Sequence, residues 1–198
     1  MKTKLPIILI LLAMLVGSYF VFFHTYKVES KASHIYKAEK VSTLVNLASD
    51  MRHFSNWNPW LLDDFKTKQQ NNNRAGVGSS FSWESDVLGT SGKLEITRVG
   101  EDIIEGHYFP TSTSVDPLST SFHFSQQTDS TYLGTWAITG DQRGLLKKQN
   151  IEKSLQPKLD EGVVMLNSFL KLVKRLKVID DFKKSGGKMK VDDPRQYY

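Results

Sequence analysis

The sequence predicts an α+β domain, a curved antiparallel sheet wrapped around a long C-terminal helix, with one apolar helix ahead of it. Three observations carry that prediction. Between about residue 80 and residue 140, short runs alternate apolar with polar side chains, the period-two signature of half-buried strands. Beyond them Leu159, Val163, Leu166, Leu170, Val173 and Leu176 recur at three- and four-residue steps, the stripe of an amphipathic helix. At the other end, the run from Leu5 to Phe23 carries no charge.

That first run reaches about 28 Å as a helix, close to the ~30 Å hydrocarbon core of a bilayer. Pro6 falls in its first turn, where a missing N–H costs little. A cleaved signal peptide is the competing reading, but it needs a shorter apolar stretch and a small-x-small cleavage site. Here Tyr19-Phe20-Val21-Phe22-Phe23 prolongs the run, which favours an uncleaved single-pass anchor. Lys2 and Lys4 oppose Lys27, Lys31, Lys37 and Lys40, so charge counting leaves the orientation open. The short basic head resembles an export signal, and the expectation is a soluble domain outside the cytoplasm. The chain is thus divided into an anchor (1–24), a folded domain (25–179) and a polar tail read as disordered (180–198).

Within the domain, Tyr26, Val28, Ser30, Ala32 and His34 alternate with charged or polar neighbours, so a strand opens it. Val41, Leu44, Val45 and Ala48 then fall on one helical stripe, which Met51 and Phe54 extend into a second short helix. Trp57-Asn58-Pro59-Trp60 closes it as a rigid aromatic corner, since Pro59 ends the helix and biases Asn58 toward extended geometry. Strands follow around Phe81 and Trp83, Leu94 and Ile96, Ile104 to Tyr108, Phe122 and Phe124, and Tyr132 to Ile138, where Gly134 leaves a gap between bulky neighbours. Turn-prone groups separate them, Asn71-Asn72-Asn73, Gly89–Gly92, Gly100–Asp102, Thr128–Ser130 and Gly140-Asp141, and such short spacings favour an antiparallel meander. The final helix is expected over Pro157–Val178, with Pro157 in its first turn.

Composition narrows the chemistry. With 198 residues, 39% of them apolar, the chain can build one full core and an appendage. It has no cysteine, which excludes disulfides, thiolate catalysis, lipid attachment at cysteine and cysteine–zinc sites. The net charge of +5 reads as a solvated lysine-rich surface or as an attraction to anionic lipid. Nucleic acid is not expected, because no basic helix or RNP-type aromatic pattern occurs. There is no HExxH, no histidine pair at helical spacing and no EF-hand loop, so neither metal nor cofactor is expected. Gly76-Val77-Gly78 lacks the lysine of a phosphate loop and precedes a strand; it reads as a turn. No GxSxG elbow exists.

The order Trp57-Asn58-Pro59-Trp60, Gly76-Val77-Gly78, Phe81-Ser82-Trp83-Glu84 and Ser91-Gly92-Lys93-Leu94-Glu95-Ile96 resembles the START-like domains of the SRPBCC (Bet v 1-like, polyketide cyclase/dehydrase and lipid transport) superfamily. Gly134-Thr135-Trp136 with Gly140, and Glu161-Gly162 followed by Leu166, Phe169 and Leu170-Lys171, extend the resemblance over His24 to Val178. The tail and the Thr- and Ser-rich stretch from Gly106 to Ser121 depart from it. The resemblance implies a helix-grip fold with an apolar cavity between sheet and C-terminal helix, taking a lipid or other hydrophobic small molecule. By position it gives cavity-wall candidates Trp57, Trp60, Trp83, Tyr108, Phe122, Phe124, Trp136, Met165 and Phe169. Read from the residues alone, each aromatic on a period-two face is as well explained as plain core. No catalytic constellation is visible. His34, His107 and His123 are the candidate acid–bases, with Tyr108 and Glu84 as proton partners, and His123 should face solvent opposite Phe122 and Phe124. The paired Asp63-Asp64 and Asp180-Asp181 cannot both face one site from a strand. The leading expectation is a membrane-tethered, non-catalytic binding module. A cyclase-, dehydrase- or hydrolase-type enzyme in the same cavity, and a protein-interaction scaffold with a vestigial cavity, stand as alternatives; the oligomeric state is undetermined.

Overall fold

The computed structural model describes residues 4–61, 67–72, 74–85, 90–110 and 117–184. Its elements run α1 (Lys4–Phe22), β1 (Thr25–Lys37), α2 (Val41–Ser49), two 3-10 turns (Met51–Asn56 and Pro59–Leu61), β2 (Lys68–Asn71), β3 (Ser80–Ser85), β4 (Thr90–Val99), β5 (Ile103–Phe109), β6 (Leu118–Thr128), β7 (Thr131–Arg143) and α3 (Leu145–Lys184). The strands form one antiparallel seven-stranded sheet in the order β1-β7-β6-β5-β4-β3-β2. From β2 to β7 it is the expected meander; β1 then closes against β7, from Thr25↔Arg143 to Lys37↔Thr131. Irregular pairing at Ile96/Arg98 and Gln126/Thr128 adds local bend and twist. One face of the curved sheet receives α2, the 3-10 turns and α3, and the core lies between these layers. This is the helix-grip α+β architecture expected from the sequence.

Several elements are longer than local pattern implied. α3 starts at Leu145 instead of Pro157, directly after Gly144, whose φ of 85° suits the left-handed region that glycine occupies without strain. Pro157 therefore sits in the helix interior, where it removes one backbone hydrogen bond; the buried stripe of Leu155, Leu159, Val163, Leu166 and Leu170 holds the helix through it. At the other end α3 continues to Lys184, so residues 180–184 of the expected tail are helical, and 185–198 lie outside the described residues. Gly140-Asp141, read as a turn, lies inside β7 opposite Val28 and Lys27. The glycine is there for space, because a Cβ would meet Leu118 at 2.6 Å. Thr90, Ser91 and Gly92 likewise belong to β4, while β2 runs into Asn71 and was not foreseen. Lys68, Gln69, Gln70 and Asn71 are all exposed and give no alternation to read.

Gly76 and Gly78 form the expected turn, both at positive φ. The Gly76 N–H donates to Ser49 at 3.0 Å and the Gly78 N–H to Ile96 at 2.8 Å, tying the end of α2 to β4.

The N-terminal helix needs a correction. Over the described residues, no helix is long and apolar enough to cross a membrane, so the fold lends no support to the full span expected over residues 5–23. α1 runs from Lys4 to Phe22. What the structure shows is a helix whose leucines, isoleucines and phenylalanines are uncovered, Leu15 at 67% and Ile8 at 59% exposure among them. Its last turn is fixed to the domain. The Tyr26 hydroxyl donates to the Phe20 carbonyl at 2.8 Å, and the Gly144 N–H donates to the His24 carbonyl at 2.9 Å.

Candidate functional site

The aromatic corner is assembled from its caps outward. The Asp50 carboxylate accepts the Arg52 backbone N–H at 3.1 Å and its guanidinium at 2.8 and 2.6 Å. That side-chain hydrogen bond from Arg52 holds the Asp50 carboxyl below the usual carboxylate range. The capped turn delivers Phe54, whose ring meets Trp57 edge-on at 4.6 Å and Phe81 at 5.1 Å. Asn58, fully buried, uses its Oδ1 to accept the Trp60 N–H at 2.9 Å and so caps the turn that Pro59 starts. The Lys158 ammonium of α3 donates to the Pro59 carbonyl at 3.0 Å, so helix and corner are joined.

From this corner Trp60 enters the sheet–helix space and stacks on Trp83 (4.8 Å) and Tyr108 (5.4 Å). Trp57 and Trp60 both meet Trp136, at 5.8 and 5.9 Å, and the Trp136 indole N–H donates to Thr120 Oγ1 at 2.9 Å. Phe122 stacks on Phe124 at 4.6 Å. Tyr36 fills the gap that Gly134 leaves, since a Cβ there would lie 2.5 Å from its ring. Its hydroxyl donates to the Val163 carbonyl of α3 at 2.8 Å. Burial pushes the Tyr36 and Tyr108 phenols above their ordinary value, so both stay protonated. Gly162 is the matching feature on α3. A Cβ there would meet Trp136 at 2.5 Å and Pro59 at 3.2 Å, so glycine lets the helix close on the rings.

Seven of the nine cavity-wall candidates, Trp57, Trp60, Trp83, Tyr108, Phe122, Phe124 and Trp136, are thus buried in one ring cluster. Met165 and Phe169 pack half-buried at its margin on α3. Rings fill most of the space they enclose. The cavity that remains is about 30 Å³, room for a water-sized molecule and not for a lipid chain. Trp57, Phe122 and Trp136 line it. So do Ala48, Met51, Phe54, Leu94, Ile96, Ile104 and Thr120, with Glu95, Glu105 and Gly106 of β4 and β5 at its border; the periodicity of the apolar ones is visible in the sequence, but which of them border a void depends on packing.

Three buried nitrogens in this region have no hydrogen-bond partner among the described residues: Trp57 Nε1, Trp83 Nε1 and Asn58 Nδ2. Sequence gives no sign of that, because it turns on where acceptors fall.

The acid–base candidates lie elsewhere. His123 faces out and meets Asp102 at 3.2 Å, on the side opposite Phe122 and Phe124 as their alternation implied. His107 and Glu84 are exposed. His34 bonds to Asn167 of α3 at 3.0 Å; burial, and then the Lys171 charge, lower its imidazole pKa. Tyr108 alone joins the cluster, with no base beside it. Among the described residues no group of three or more histidines or carboxylates could hold a metal. Asp63 and Asp64 lie outside the described residues.

The site therefore defines a closed, aromatic-lined helix-grip interior. No family model matches the sequence, and no curated protein does. Solved structures do. A Thermus thermophilus protein aligns with a TM-score of 0.54 at 12% identity, covering 73% of this chain and 98% of its own. A Staphylococcus epidermidis protein aligns at 0.53 and 10% identity, covering 77% and 93%. Both establish the fold and, at such identities, nothing about activity. A START superfamily protein from Mycobacterium smegmatis is similar at 14% identity over 73% of this chain and 98% of its own, with a TM-score of 0.47, too loose a superposition to add to them.

Proposed function

We propose that this chain is a non-catalytic binding module for a hydrophobic small molecule, held beside a membrane by α1. The observation that carries the reading is the interior cavity. It lies where sheet, α2 and the aromatic corner meet, and its walls are mostly apolar side chains, with Thr120 among them; the two glutamates at its border are engaged elsewhere, Glu95 with Lys93 at 2.7 Å and Glu105 with Arg98 at 3.1 Å. Each buried methylene is worth about 0.8 kcal/mol, so a greasy molecule leaves a bilayer only for a comparably apolar enclosure. At about 30 Å³ the cavity is a seed, and a larger occupant enters as rings of the cluster shift. α1 supplies the tether through its uncovered apolar side chains, with the domain outside the cytoplasm.

Native mass spectrometry of the full chain, purified in detergent from cells, tests this. A bound mass of lipid or small-metabolite size is expected. A bare polypeptide, together with tryptophan fluorescence indifferent to added apolar dyes, sinks the reading. For orientation, alkaline phosphatase fused to the C-terminus should be active.

One observation favours a second reading, an interaction scaffold. Near the end of β1, the Lys174 ammonium of α3 donates to the Lys37 carbonyl at 2.7 Å. Beyond it Leu176 and Ile179 are 55% and 48% exposed, continuing the uncovered Leu172. A partner seated there, with an interior that never opens, would account for the filled core.

A further inference from the structure

The interior is apolar but not featureless. Four buried side-chain polar atoms have no partner among the described residues, and three of them are N–H donors on the aromatic corner and the strand it stacks on: Trp57 Nε1, Asn58 Nδ2 and Trp83 Nε1. Trp57 is 2% exposed, Trp83 2% and Asn58 0%, so water does not reach them freely. The fourth, Ser30 Oγ, belongs to β1. An unmade buried hydrogen bond is a standing penalty, and here the penalties share one sign. They ask for acceptors. Trp136 shows the contrast in the same cluster, because its N–H already has Thr120 Oγ1. The neighbouring ring faces offer the free donors only a weak π acceptor.

From this we infer that the occupant of the interior is a neutral carbonyl compound, a ketone or ester, recognised by the free N–H group of Trp57, the one of the three that lines the cavity. The inference rests on the binding reading above and narrows its ligand class. Trp57 takes the leading role because it also lines the cavity, so an oxygen seated there comes beside a donor without one. The carbonyl must be neutral. Among the described residues no lysine or arginine is buried, and an ionised carboxylate without a cation is far more expensive to bury than a carbonyl. A plain hydrocarbon fits the walls but leaves the Trp57 donor unanswered.

Acetophenone and isopropylbenzene have nearly the same shape, and only the first carries an oxygen. The full chain in lipid nanodiscs, with ¹⁵N-labelled indoles, is titrated with each, and affinities are corrected for partition into the bilayer. Acetophenone should bind about three- to ten-fold more tightly, the worth of one net hydrogen bond. The Trp57 indole N–H signal should move downfield while that of Trp136 stays. Trp57→Phe keeps a ring and removes the N–H, and should bring the two affinities together. Should that variant not fold, the indole shifts of the unaltered protein decide alone. Equal binding of both probes, with no N–H shift, overturns the carbonyl inference and leaves the apolar module standing. Binding of neither overturns the binding module itself, and this inference with it.

Discussion

α1 and α3 draw on the same aliphatic residues and treat them in opposite ways. In α1 they occupy every side of the helix and are uncovered. In α3 the buried ones form one stripe, with Leu155, Leu159, Val163, Leu166 and Leu170 at most 2% exposed, while Leu146, Val164 and Leu172 stand half-exposed on a mostly polar outer face. A stripe needs one neighbour; an all-round apolar helix needs an apolar surrounding. The difference teaches that α3 is completed by this chain's own sheet, whereas α1 is not covered by anything among the described residues. α3 also contains the contrast within itself, since its aliphatic side chains go bare once the sheet ends near Lys174.

Substitutions can break that comparison. The largest expected effect is Leu166→Ala, under the sheet, which should lower unfolding stability by about 2–5 kcal/mol in denaturant titration, whereas Leu12→Ala in α1 should leave that transition in place. Leu12→Lys should instead cost about 3 kcal/mol of bilayer insertion, read as a shift from the carbonate-resistant membrane fraction to the supernatant. An unmoved fraction would remove α1 from the tether. Next in size, Gly162→Ala forces a methyl against Trp136 and Pro59 and should destabilise by about 1–3 kcal/mol, with altered near-ultraviolet circular dichroism from the displaced indole.

A smaller effect depends on pH. The His34 imidazole resists protonation in the folded protein, while in the unfolded chain it takes a proton near pH 6.5. Stability is therefore full above that pH and declines as acid is added through the folded value. His34→Gln should flatten the decline that begins near pH 6.5 as acid is added. Smallest of all, Leu176→Ala should change stability by less than about 0.5 kcal/mol. A larger loss, or one that varies with protein concentration, would show that the bare end of α3 is covered by a partner and would favour the scaffold reading.

Much of the architecture could be read from periodicity, because burial on one face imprints period two or 3.6 on the chain. Phe122 and Phe124 against His123, and Leu159 to Leu170 on α3, were assigned to the correct faces. Boundaries failed where tertiary contact overrode local chemistry. Gly140-Asp141 looks like a turn until β1 pairs with it, and Pro157 looks like a helix start until the buried stripe carries the helix through. β2 is exposed on both faces and offered no pattern. For the site, the residue types were legible and the geometry was not. Nine side chains were named as cavity walls, yet their stacking, which leaves about 30 Å³, and the absence of acceptors for Trp57 and Trp83 among the described residues follow from ring orientation, which no spacing encodes.

The register between β1 and β7 bears on how the molecule comes into being. Thr25 waits for Arg143 and Lys37 for Thr131, so the first strand to leave the ribosome is the last to find its neighbour. Closing so distant a pairing is slow compared with forming hairpins. Throughout that interval one long strand margin stays open beside the greasy leading helix, a combination that invites premature self-association. Nascent chains stopped short of Thr131 should accordingly be more prone to clump than those extended past Arg143.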